Sequence, residues 1–167
     1  MKQILILTLG IYLVSCHNRT YRPPLTTGLE GKPIPSFSVL LSDSSTILNT
    51  ADIPKGRPIV LLYISPQCPY CRAELTSILK NMSTLGDTKF YVFTNWPFRQ
   101  FKAFYTYYQL GKYQNIVAGQ DYANALSHHY PLPGVPFTAF YDKNKNLDKA
   151  FAGLMRIDQI KSLEAKN

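Results

Sequence analysis

The chain has 167 residues, 46% of them hydrophobic, with three cysteines and a net charge of +8. That is enough apolar material for one domain with a sizeable core, which excludes a disordered chain and a disulfide-stapled miniprotein. The basic residues form no block beyond Lys143, Lys145 and Lys149 in one turn-rich stretch, so they read as a solvated surface and no nucleic acid is expected as partner.

Residues 1–15 stand apart from the globule. After "MKQ" come eleven mostly apolar residues, "ILILTLGIYLV", too few to span a bilayer and patterned like a secretory signal. "LVSC", Leu13 to Cys16, resembles the lipobox of bacterial lipoproteins. That resemblance implies cleavage before Cys16, a lipid on the cysteine, and anchoring without a span on the periplasmic side of a bacterial membrane. An ordinary signal peptide with a stray cysteine is the alternative. Residues 16–32, polar and rich in Pro and Gly, read as a tether from the anchor, leaving 33–167 as the folded domain.

Within that domain "SFSVLL" (36–41) predicts a strand with a hairpin partner near "TILN" (46–49). "PIVLLYIS" (58–65) is a continuous apolar run, as a strand buried on both faces requires. "RAELTSILKNM" (72–82) carries Leu75, Ile78, Leu79 and Met82 at helical spacing, and "KFYVFT" (89–94) is the next strand. This β-α-β order predicts a parallel pair with a right-handed crossover. In "PFRQFKAFYTYYQL" (97–110) Phe98, Phe101, Phe104, Tyr105 and Tyr108 recur at helical spacing, which predicts core packing or groove lining. A short strand at "NIVAG" (115–119) and a short helix at "YANALSHH" (122–129) follow. "PLPGVPFTAFYD" turns into a strand, "KNKN" is a turn, "DKAFAG" pairs back, and "MRIDQIKSLEA" closes the chain as a helix. The order predicts an α/β fold with a mixed sheet.

"SPQCPYC" (65–71) sits where the apolar strand ends and the helix begins. Pro69 lacks an N–H and has φ preset for a first helical turn, so Cys68 falls at the N-cap. There the unpaired amides and the positive end of the helix dipole favour an anionic sulfur. Cys71 lies one turn on, within reach of a mixed disulfide formed at Cys68. A zinc site needs four ligands; no second cysteine pair exists, and His128 and His129 are neighbours on a helix, so no metal is expected. A structural disulfide across so small a loop would stabilise little.

A strand, a C-P-Y-C opening a helix, and "GVPFTAFYD" at a later strand resemble the thioredoxin superfamily. The lipobox, "GKPIPSFSVLL" and the final "FAG" are most similar to exported thiol–disulfide oxidoreductases of the TlpA/ResA type, over residues 31–165. The resemblance implies a thioredoxin-like fold: a central mixed β-sheet flanked by helices, with an N-terminal β extension. It implies that Cys68 attacks and Cys71 resolves, that Pro136 is a cis-proline, and that Val135 pairs with an extended substrate, with Pro69 and Tyr70 beside it. Glu74 matches an acid that assists proton transfer at Cys71, a solvated helix glutamate being the alternative. No cofactor is implied beyond the redox-active Cys68–Cys71 disulfide. The partners implied are exported client thiols and disulfides and a membrane-spanning electron donor. The chain departs from thioredoxins in carrying Leu62 where they bury an acid, and Ile64 and Gln67 where they carry tryptophans. A disulfide oxidase of the DsbA kind and a non-catalytic binding lipoprotein stay open as alternatives.

Overall fold

The run Ile59–Tyr63 has no side chain more than 3% exposed, and it lies inside the sheet rather than at its edge. The computed structural model describes residues 21–164. A hairpin of β1 (Ser38–Leu41) and β2 (Ile47–Asn49) forms one edge. Next come three mutually parallel strands, β3 (Ile59–Tyr63), β4 (Lys89–Thr94) and β5 (Ile116–Gln120). The strands β6 (Phe137–Tyr141) and β7 (Leu147–Ala152) return antiparallel. The spatial order is β2-β1-β5-β4-β3-β6-β7, the expected mixed sheet with its N-terminal hairpin.

Alternation along β3 divides the core in two. Val60 and Leu62 pack with α1 (Pro69–Lys80), α2 (Phe98–Tyr107) and α4 (Ile157–Glu164), through Leu75, Ile78, Phe101, Phe104 and Ile160. Ile59, Leu61 and Tyr63 pack on the other face with Phe37, Phe93 and, from the short helix α3 (Ala125–His129), Leu126. Each fully buried aliphatic or aromatic side chain contributes about 1.5–3 kcal/mol. The register then positions the site. Tyr63 of β3 faces Phe137 of β6, so the loop leaving β3 and the loop entering β6 meet at one end of the sheet.

Residues 21–32 are not the free tether expected from their composition. They run beside β7, with a bridge from Leu25 to Ala150, and Pro33 just after them bridges to Asn146 just before β7. The Leu25 amide donates to the Ala150 carbonyl at 2.7 Å and the Gly31 amide to the Leu147 carbonyl at 2.8 Å. An outer strand leaves backbone groups unpaired, and this segment satisfies some of them on β7 while Leu25 and Leu29 pack against the core. The expected signal at 1–15 and the expected lipidation site Cys16 lie outside the described residues. Among the described residues no helix is long and apolar enough to cross a membrane.

The loop after β5 is held by Asp121, which is fully buried. Its carboxylate accepts from the Ala125 amide (2.8 Å), the Leu126 amide (2.9 Å) and the Tyr63 hydroxyl (3.2 Å). Asp121→Ala strips three donors of their acceptor and is expected to cost about 3 kcal/mol in urea unfolding. A loss below about 1 kcal/mol would mean that water replaces the carboxylate.

Candidate active site

After β3 the chain turns through Ser65–Cys68, closed by the Cys68 amide donating to the Ser65 carbonyl at 3.1 Å. The Arg72 side chain holds the loop by donating from Nε to the Pro66 carbonyl at 2.7 Å. Pro69 is the first residue of α1 and Cys68 its N-cap, with extended backbone angles. Cys68 Sγ accepts the Cys71 amide at 3.4 Å, taking the place that a serine or aspartate oxygen commonly fills at a helix start.

Both cysteines are free thiols, and their surroundings differ. Cys68 is half-buried, and its Sγ donates to the Val135 carbonyl at 3.8 Å. Cys71 is wholly buried in the core between the sheet and α1. Burial pushes the Cys71 thiol well above the ordinary cysteine value; its hydrogen bond with Cys68 and the nearby charges of Cys68 and Glu74 add to this.

Across the site, the Val135–Pro136 peptide is cis. Pro136 is buried, and its carbonyl accepts the Gly153 amide at 2.7 Å. Pro69 and Tyr70 are exposed on the opposite lip, Tyr70 to 63%. The structure thus gathers Cys68, Pro69, Tyr70, Cys71, Val135 and Pro136 at one end of the sheet.

Glu74 is fully buried, which rules out the solvated helix glutamate. It lies three residues after Cys71, on the same face of α1. Its Oε1 accepts from the Thr138 hydroxyl at 2.9 Å and its Oε2 from the Met155 amide at 3.0 Å. Burial raises the carboxyl to about 7, while these two hydrogen bonds and the Arg22 charge act in the opposite direction. Leu62, which replaces the strand acid of thioredoxins, pairs with Thr138 in the sheet. The helix supplies the buried carboxylate instead of the strand.

The sequence reading did not single out Thr138, Met155 or Arg22. One signal was available: Cys71, Glu74, Leu75 and Ile78 form an i, i+3, i+4, i+7 stripe, so Glu74 belongs to the buried face. A lone threonine in the apolar strand "PFTAF" was the complementary sign.

No protein-family model and no curated protein matches the chain. Its backbone does match solved structures. One is a secreted Mycobacterium tuberculosis disulfide oxidoreductase homologous to E. coli DsbE, at 20% identity and a TM-score of 0.65, over 78% of this chain and 96% of that one. A second is the thioredoxin domain of a Bacteroides vulgatus thiol-disulfide oxidoreductase, at 20% and 0.66, over 85% and 97%. A third is the exposed lipoprotein thioredoxin Etrx1 of Streptococcus pneumoniae, at 23% and 0.62, over 80% and 100%. The chain has the thioredoxin-like fold.

In this thioredoxin-like chain Glu74 has a thermodynamic signature. Its carboxyl moves from 4.5 to about 7 on folding, so between those values the folded state holds the extra proton. Stability from this group is therefore fully present below about 4.5 and falls as pH rises through about 7, by on the order of 3 kcal/mol. Urea unfolding from pH 4.5 to 8 should show the wild type losing about that much more than Glu74→Gln. Parallel curves would place the Glu74 carboxyl in the ordinary range.

Proposed function

We propose that the chain is a dithiol–disulfide exchanger that reduces or exchanges disulfides in exported client proteins. The observation that carries this reading is the asymmetric pair: a reachable sulfur capping α1, and a buried one beside a buried carboxylate. Cys68 attacks a client disulfide as the thiolate; the Cys68–client bond forms, the client S–S bond breaks, and one client sulfur leaves as thiolate. Cys71 then gives its proton to Glu74 and attacks the Cys68 sulfur. The Cys68–Cys71 disulfide forms and the second client sulfur departs. Two electrons have passed from the protein dithiol to the client, whose two thiolates take protons from solvent and from Glu74. A dithiol donor on a membrane-spanning protein resets the pair by the reverse exchange, and no metal or organic cofactor enters.

Client segments lie along Val135 and Pro136, between Pro69–Tyr70 and a hollow of about 360 Å³ that Gln67, Arg72, Phe104, Tyr107 and Tyr108 help to line. The aromatic stripe of α2 thus serves both ends: Phe101 and Phe104 sit in the core with Tyr105 and Tyr108 packed against it, while Phe104 and Tyr108 also reach the hollow. Cys16 carries the lipid that keeps the domain at the outer face of a membrane. In support, two of the similar structures are described as a secreted oxidoreductase and an exposed lipoprotein.

The reducing direction is the reading we favour, on the architecture between the dithiol and Pro136. The 65 positions from Cys71 to Pro136 hold most of α1, then β4, α2, β5 and α3, and no inserted helical domain of the DsbA kind.

Insulin reduction in dithiothreitol should be fast with wild type and at background with Cys68→Ser, while Cys71→Ala accumulates mixed disulfides with clients. Equal rates for wild type and Cys68→Ser would leave a binding lipoprotein with an inert pair. A reduction potential between roughly −200 and −270 mV fits the reductant, and one near about −120 mV would make the chain an oxidase.

A further inference from the structure

The N-terminal segment meets the site through one side chain. The Arg22 guanidinium lies against Gly153, so close that a Cβ there would stand 2.8 Å from its Cζ and 2.9 Å from Nη2. Gly153 has φ +81, and its lack of a side chain opens the seat. Arg22 Nε donates to the Leu154 carbonyl at 3.3 Å. The backbone of Arg22 is gripped from the other side by Gln159, only 5% exposed. The Arg22 amide donates to Gln159 Oε1 at 3.1 Å, and Gln159 Nε2 donates to the Arg22 carbonyl at 2.7 Å. A buried amide that satisfies both backbone groups of one residue fixes that residue in place.

The turn that Arg22 covers reaches both halves of the dithiol site. Gly153 donates its amide to Pro136, and Met155, next after Leu154, donates its amide to Glu74. We propose that Arg22 is a positioning residue of the site, clamping the Gly153–Met155 turn against Pro136 and Glu74 and placing a basic group near that carboxylate. On this view residues 21–25 are part of the working centre rather than a spacer before it. The functional weight rests on the dithiol reading above.

The titratable and charged groups that face Glu74 come from two directions. Cys71, with Cys68 behind it, lies on its own helix α1, and Arg22 approaches from the N-terminal segment. Thr138 of β6 and the Met155 amide before α4 bring hydrogen bonds without charge. At the start of α4, Arg156 and Asp158 pair with each other at 3.1 Å. Arg22 thus favours the ionised form of Glu74, the form that takes the Cys71 proton.

The test is the carboxyl titration of Glu74 in the reduced full chain, followed by NMR with ¹³C-labelled glutamate. Arg22→Gln should raise the midpoint by about 0.5 unit, and Arg22→Lys, which keeps the charge, should stay within about 0.2 unit of wild type. In stopped-flow measurements at neutral pH the resolving step of Arg22→Gln should slow about twofold, as the ionised fraction of Glu74 falls. A Gln variant titrating like wild type, or a Lys variant shifted as far as the Gln variant, would overturn the proposal. The titration needs no client, so loss of exchange activity in the wild type would sink the dithiol reading without touching this result.

Discussion

The bond from the Cys71 amide to Cys68 Sγ is the constraint on which the site depends. It exists because β3 ends, a four-residue turn closes on Ser65, and Pro69 starts α1 with Cys68 as its cap. A cap sulfur faces the unpaired amides of the first turn and the positive end of the helix. The same helix start fixes its partner. Residue 71 is the third of α1, and the stripe that packs Leu75 and Ile78 into the core carries Cys71 inward with them. One sulfur at the surface and one in the interior are two consequences of a single helix phase.

Glu74 continues that phase and turns a packing face into a chemical one. An unpaired buried carboxylate is costly, and this one is tolerated because Thr138 and the Met155 amide each donate to one of its oxygens. Those bonds tie α1 to β6 and to the turn before α4, so the group near Cys71 also links the elements that build the two sides of the site. With β6 entered through Pro136 and the turn covered by Arg22, the dithiol, the proline loop and the N-terminal segment share one connected set of contacts.

Much of this was legible in the sequence where one periodicity dominates. The buried run 59–63, the helix from Pro69 and the hairpin return at Lys143–Asn146 are local patterns, and the structure has each of them. Cys68 and Cys71 were legible because two cysteines at a strand-to-helix junction meet few competing explanations. The cis state of Pro136 came only from the resemblance to thioredoxins, since local chemistry favours trans. Residues 21–32 read as a tether because Pro and Gly exclude regular structure without excluding docking, and the outer edge of β7 that receives them is a tertiary fact. Arg22 and Met155 were invisible for the same reason. Their partners lie 132 or 137 positions away for Arg22 and 81 for Met155, and two of these contacts use a backbone amide that any residue would offer.

The proposed exchange depends on the unequal reach of the two sulfurs, and alkylation reads that directly. Reduced native chain treated with limiting iodoacetamide at neutral pH, then mapped by peptide mass spectrometry, should carry its adduct on Cys68, with Cys71 modified only after denaturation. Cys71 reacting as fast as Cys68 in the folded chain would contradict the account.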